Sequence, residues 1–186
     1  MARYNKWLVV FVALFLSLTL SMSAAPAKAA SASEIDQGVD EALQALYQKY
    51  PSAQMLGKEA KGILVFPDIV KAGFIMGGLY GEGALRKGST TAGYYNTVAA
   101  SFGYQAGVQK YGYALFFMTD YALDYLNRSD GFELGVGPSI TVVDVGAARA
   151  LTTTTARSQI YAFFFSQKGL FGGMGLQGTK VTRISK

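Results

Sequence analysis

AKGILVFPDIVKAGFIMGGLYGEGAL, residues 60–85, decides how the rest of the chain is read. Its first apolar run, Ile63 to Phe66, is short and built of branched and aromatic side chains, the make-up of a buried strand. Pro67 and Asp68 then mark a turn, and from Gly73 to Leu85 glycine recurs among Phe, Ile, Leu and Tyr. A strand so rich in glycine bends, because a residue without a side chain marks bulges and close backbone approach. The same texture continues to the end of the chain, since 20 of the 22 glycines lie at or beyond Gly62. Strong curvature or barrel closure is therefore expected. The candidate strands are Ile63 to Phe66, Gly73 to Leu85, Tyr94 to Gln109, Tyr113 to Met118, Phe132 to Asp144, Arg157 to Gln167 and Leu170 to Ile184. Turns are expected at RKGS (86–89), KYG (110–112), SDG (129–131) and QKG (167–169).

Upstream of this region, residues 31–61 are predicted to be helical. Ser31 precedes Glu34 by three places and Ser33 precedes Asp36 likewise, and either pair can form a capping box at a helix start. Ile35, Val39, Leu43, Leu46 and Tyr50 then recur at helical spacing and form one apolar stripe. Pro51 ends the helix, Ser52 is placed to cap a shorter second one, and Gly62 sits where a left-handed closing residue is wanted. Within the sheet region, TDYALDYLNR (119–128) predicts one more short helix with Ala122, Leu123 and Leu126 on one side. Its Asp120 and Asp124 are read as dipole compensation in place of an acid–base pair. The fold class is α+β: N-terminal helices packed on a strongly curved, mainly antiparallel, glycine-rich sheet or partly closed barrel.

The first 29 residues carry a secretory signal pattern. Arg3 and Lys6 precede the apolar run Leu8 to Leu20, and SMSAAPAKA follows it. That run is shorter than the roughly 20 apolar residues a spanning helix needs. Ala27-Lys28-Ala29 offers small residues at the positions a signal peptidase reads, so cleavage is expected after Ala29. Residues 30–186 then form a single domain, periplasmic or secreted. Arg3, Lys6 and Lys28 leave with the leader, which reduces 17 basic residues to 14 against twelve acidic ones, a net charge of +2. So small a surplus gives no general field for nucleic acid, which is not expected as a partner.

The chain has neither cysteine nor histidine. Disulfides, thiolate or imidazole metal sites, and Ser-His-Asp or Cys-His nucleophile systems are thereby excluded. GMGLQG (173–178) satisfies a dinucleotide-binding pattern, but only eight residues follow Gly178, too few for the helix and strand that make the pattern work. Asn127-Arg128-Ser129 fits a glycosylation sequon that arises often by chance. No cofactor, metal or enzymatic activity is expected. The basic residues that can meet an anionic headgroup are Lys58 and Lys61 near the end of the second helix, Lys71 after PDIV, and Arg86 and Lys87 at a hairpin tip.

Several strings resemble one family. AKGILVFPDIVKAGFIMGGLYGEGAL is similar to the opening block of SYLF domains, and SFGYQAGVQ (101–109) resembles their serine-phenylalanine-glycine block. FELGVGPSITVV (132–143) and FSQKGLFGGMGLQGTKV (165–181) resemble the last two blocks, in the expected order. Where many relatives carry a tryptophan-serine-x-proline stretch, this chain has Tyr94-Tyr95-Asn96-Thr97. The resemblance implies a non-catalytic module of the exported bacterial branch, partnered by anionic phospholipid or a membrane surface. Eukaryotic relatives bind phosphoinositides and some bind or bundle actin, a partner not expected outside a bacterial cytoplasm. Lys58, Lys61 and Lys71 are ligand candidates by position only. Two other classes stay open. A small outer-membrane barrel is disfavoured by the unbroken Phe163-Phe164-Phe165, and an envelope protein-interaction module would display Tyr94, Tyr95, Tyr111 and Tyr113.

Overall fold

The computed structural model describes residues 29–128, 132–134, 136–143, 148, 151, 157–168 and 178–186. Helix α1 spans Ala32–Lys49 and starts on the first of the two expected boxes: Ser31 Oγ accepts from Glu34 N–H, while Glu34 accepts from Ser31 N–H at 2.7 Å. Its stripe buries Ile35, Val39 and Leu46, with Leu43 and Tyr50 partly covered. Helix α2 spans Pro51–Glu59. Pro51 opens this helix as well as closing the first, because a missing N–H costs nothing at a first helical position. Ser52 is not its cap, and Gly62 is not a left-handed terminator: Tyr50 and Ala60 cap α2 with extended backbones.

Strand β1 runs Gly62–Lys87 and β2 runs Thr90–Phe117, joined at Gly88-Ser89, where Gly88 has φ +60. Each of these long strands absorbs two of the expected short ones. Pro67 and Asp68 do not break β1; they stand together against Gly112 as a bulge, a place where a proline without an N–H is tolerated. The extra residue reverses the pleat, so that Leu64 and Phe66 before it and Ile69 after it enter the same core. KYG is likewise no turn, since Gly112 continues β2 with its Cα facing the Pro67 carbonyl. Helix α3 (Asp120–Arg128) follows, with Thr119 Oγ1 accepting from Ala122 N–H. Strands β3 (Phe132–Glu133), β4 (Ile140–Val143), β5 (Ile160–Lys168) and β6 (Lys180–Ile184) complete the six-stranded sheet of the described residues. The expected strand over 132–144 is thus two short ones. The expected turn SDG, and residues 170–177 of the last expected strand, lie outside the described residues.

Since β1 occupies one edge of β2 along its length, β6 and β5 share the other edge in tandem, β6 on Tyr94 to Val98 and β5 on Lys110 to Phe117. All these pairings are antiparallel; among the described strands only β4 and β5 run parallel. The sheet curls into a half-barrel until the two ends of β1 lie side by side. A Cβ on Gly81 would sit 2.8 Å from the Asp68 carbonyl oxygen, and one on Gly83 would overlap that of Val65, so only glycine admits this approach.

Both faces of the strands are buried where β1, β2 and β5 meet. Leu64, Phe66, Tyr113, Leu115, Phe117, Ile160 and Ala162 form one core with Ala122, Leu123 and Leu126 of α3. Ile63, Val65, Ala114, Phe116, Tyr161, Phe163 and Phe165 form a second with Ile35, Val39, Leu46, Ala53 and Leu56 of α1 and α2. This explains the triple phenylalanine. Phe163 and Phe165 face the N-terminal helices, and Phe164 packs against the opposite core.

Candidate functional site

The joint between α1 and α2 opens a crevice. Tyr50 N–H closes α1 on Leu46 O at 2.8 Å, and Pro51 turns the chain at once into α2. The crevice measures about 610 Å³ and is walled by Tyr50, Pro51, Met55, Ala148 and Leu151, with Lys49 and Ser52 as its polar members. That balance of a mostly apolar wall with few polar groups is typical of small-molecule sites. Exposed Lys49 holds its ammonium 5.2 Å from the centroid of the Tyr50 ring. Ser52 is only 7% exposed, and its Oγ has no hydrogen-bond partner among the described residues. Lys58, one helical turn beyond Met55, is exposed on the last turn of α2.

The five expected headgroup residues divide into three situations. Lys58 and Lys61 are exposed at the helix–sheet junction, where Lys61 N–H donates to Phe117 O at 2.8 Å. Lys87 is exposed at the hairpin tip, yet the curl of β1 sets the Gly62 backbone beside the Arg86 carbonyl. Lys61 and Lys87, the sequence neighbours of those two residues, are thus brought to one edge. Lys71 stands apart, opposite Gln109 beyond the bulge.

Arg86 has a different occupation. It is 8% exposed and donates through Nη2 to Asp40 Oδ1 at 2.7 Å and to the Asp36 carbonyl at 3.1 Å, and through Nη1 to Thr91 Oγ1. Asp36 Oδ1 lies a further 3.5 Å from Nη2 and accepts from Thr91, while Asp36 Oδ2 accepts from Tyr94. Burial pushes the Asp36 carboxyl up, but the bonds from Thr91 and Tyr94 and the Arg86 charge outweigh it and hold the group below its ordinary value. The guanidinium clasps α1 to the hairpin, and its charge is already answered.

Of the tyrosines expected on display, Tyr95, Tyr111 and Tyr113 are buried, and half-buried Tyr94 is bonded to Asp36. Tyr113 shares its hydroxyl with Thr97 Oγ1 at 2.8 Å. Sequence reasoning missed the crevice residues Lys49, Tyr50, Ser52 and Met55. A proline between two amphipathic segments, preceded by Lys-Tyr, was the available signal.

Comparison with known proteins gives one family and no curated relative: residues 98–186 match the family model Ysc84, Las17-binding protein actin regulator, and no curated protein matches the chain. The matched span takes in most of β2, then α3 and all later strands, while the crevice residues Lys49 to Met55 precede it. Together with the ordered blocks quoted above, the match over residues 98–186 is consistent with the Ysc84, or SYLF-domain, family.

Proposed function

We propose that this chain is a non-catalytic module that binds lipid at a membrane surface of the cell envelope, after export and cleavage near Ala29. The observation that carries this is the apolar crevice with exposed Lys49 at its wall and exposed Lys58 three residues beyond its Met55. An anionic phospholipid is an amphiphile, and this slot offers both halves of its chemistry within one helical turn. Each methylene that leaves water contributes about 0.8 kcal/mol, so even four or five of them in the crevice outweigh any single exposed lysine–phosphate contact. Exposed Lys49 at the crevice and Lys58 in the last turn of α2, with Lys61 and Lys87 brought to one edge by the curl of β1, supply local positive charge that a net charge of +2 does not supply globally.

The family match is to a binding module, and Asp120 and Asp124 are both exposed on α3, where Asp120 suits the helix dipole. The actin role in the family's name belongs to a cytoplasm that an exported chain leaves. An outer-membrane cylinder needs lipid against the outer sheet face, where α1 and α2 lie instead. Among the described residues no helix is long and apolar enough to cross a membrane.

Co-sedimentation of the chain beginning at Ala30 with zwitterionic vesicles, with and without anionic lipid, tests the function. Salt-sensitive preference for the anionic vesicles is expected, weakened by joint Lys49→Glu and Lys58→Glu. Native mass spectrometry should also find a retained lipid that Met55→Trp expels. Absence of both vesicle binding and a retained lipid would overturn the proposal.

A further inference from the structure

At the opposite end of α1 the chain gathers charge around one backbone nitrogen. Ala30 N lies 3.1 Å from Glu82 Oε2. Lys186 Nζ donates to both Glu82 oxygens at 3.0 Å and to the Ala30 carbonyl at 2.7 Å, and Tyr80 OH donates to Glu82 Oε1 at 2.9 Å. The Glu82 and Lys186 side chains are only 11% and 10% exposed, so these bonds are partly shielded from water. They stand beside a crevice of about 650 Å³ whose wall includes Ala29, Ala30, Glu34, Pro67, Asp68 and Glu82.

We infer that Glu82 is a seat for the free α-ammonium group of Ala30, made when a signal peptidase hydrolyses the Ala29–Ala30 bond. Water adds across that amide: Ala29 departs with the new carboxylate, and Ala30 N takes up the protons of an ammonium group. Both the cleavage and its consequence rest on the export reading above. In the uncleaved chain Ala30 offers Glu82 one amide hydrogen. Once cleaved, the same nitrogen offers three hydrogens and a full charge, and charge-assisted bonds are about twice as strong as neutral ones.

The surroundings suit a cation. Glu34 of α1 and Asp68 and Glu82 of β1 bring three carboxylates to this end of the fold, with Lys186 as the one cation bonded to Glu82 among the described residues. Ala30 stands just before Ser31, the cap of α1, where the helix dipole disfavours positive charge. Glu82, and Glu34 folded back on Ser31 N–H at 2.7 Å, offset that. Burial pushes the Glu82 carboxyl up, but the bonds from Lys186 and Tyr80, the Lys186 charge and Ala30 N–H hold it below the ordinary value, so it is ionised and ready at neutral pH. Leader removal therefore fastens the start of α1 to the hairpin, a contact the precursor makes only weakly.

Two measurements separate cleavage from seat. Intact mass of the protein recovered from an exporting bacterium should correspond to a start at Ala30. For the seat, the chain beginning at Ala30 is compared with its Nα-acetylated form in urea unfolding. The free amine should raise the folding constant about fivefold at pH 7, the scale of a partly shielded ion pair. An ammonium held by Glu82 has its pKa raised above the ordinary value of about 7.7–8.0, so the gain is complete below that range and is lost as pH rises through the folded value. In Glu82→Gln the difference between free and acetylated chains should vanish. A different start with the gap intact refutes this cleavage site alone. Equal stability of free and acetylated chains, or a gap that survives Glu82→Gln, overturns the seat, and acetylation decides the matter in the native sequence even if that variant fails to fold.

Discussion

Replacing Arg86 by methionine separates a structural clasp from a headgroup ligand. The stem of the side chain keeps its packing, while its bonds to Asp40, the Asp36 carbonyl and Thr91 are lost. Asp40 is 71% exposed and rehydrates, so its share is below about 1 kcal/mol. Asp36, 32% exposed, retains Thr91 and Tyr94, and with its carbonyl loses about 2 kcal/mol of charge-assisted bonding. Arg86 Nε is buried without a partner among the described residues, and its removal recovers about 1 kcal/mol. The net loss is about 2 kcal/mol, a fall in Tm of about 4–8 °C for a domain of this size. Urea unfolding of R86M, D40N and the double variant measures both the loss and the coupling, expected at about 0.5–1 kcal/mol. Vesicle binding of folded R86M should be unchanged. Stability within about 0.5 kcal/mol of the parent, or lost vesicle binding with stability intact, would refute the clasp.

Gly83→Ala pushes a methyl group into the Val65 carbonyl and should cost about 1–3 kcal/mol in chemical denaturation, whereas Gly88→Ala meets open space and should cost only the roughly 1–2 kcal/mol of its left-handed backbone. The depressed Asp36 carboxyl contributes stability that is present above its unfolded value of about 3.9 and lost as pH falls through the lower folded one; the gap between parent and Asp36→Asn should therefore close on acidification through that window and stay constant from pH 5 to 7. In an alkaline absorbance titration, burial holds back Tyr111 until about 12 and Tyr113 beyond it, so ionisation of either near 10 in the folded protein would contradict the buried placement.

Local signals in the sequence were enough for α1, α3 and the hairpin tip, because a capping box, a 3.6-residue stripe and a turn glycine each act within a few residues. What failed were judgements on residues whose neighbours are remote. Pro67 and Gly112 read as breaks until each is seen opposite the other in one bulge. Phe163 to Phe165 broke a one-sided alternation because their strand is covered on both faces, which a period of two cannot announce. The candidate site divided in the same way. Lys58 and Lys61 were legible as a pair close in sequence, but the approach of Lys87 depends on the curl of β1. The engagement of Arg86 depends on carboxylates from α1, so its positive charge in the sequence gave no hint that it was already spoken for.

The tandem sharing of one β2 edge bears on how the polypeptide is made. Residues Tyr94 to Val98 wait for Lys180 to Ile184 before their second row of amides and carbonyls is matched. A nascent chain therefore carries an open, tyrosine-rich template for most of the synthesis that follows it, one to which a strand from another copy can zip. A holding chaperone answers that hazard, and deletion of residues 180–186, which removes the β6 strand, should make the protein aggregate.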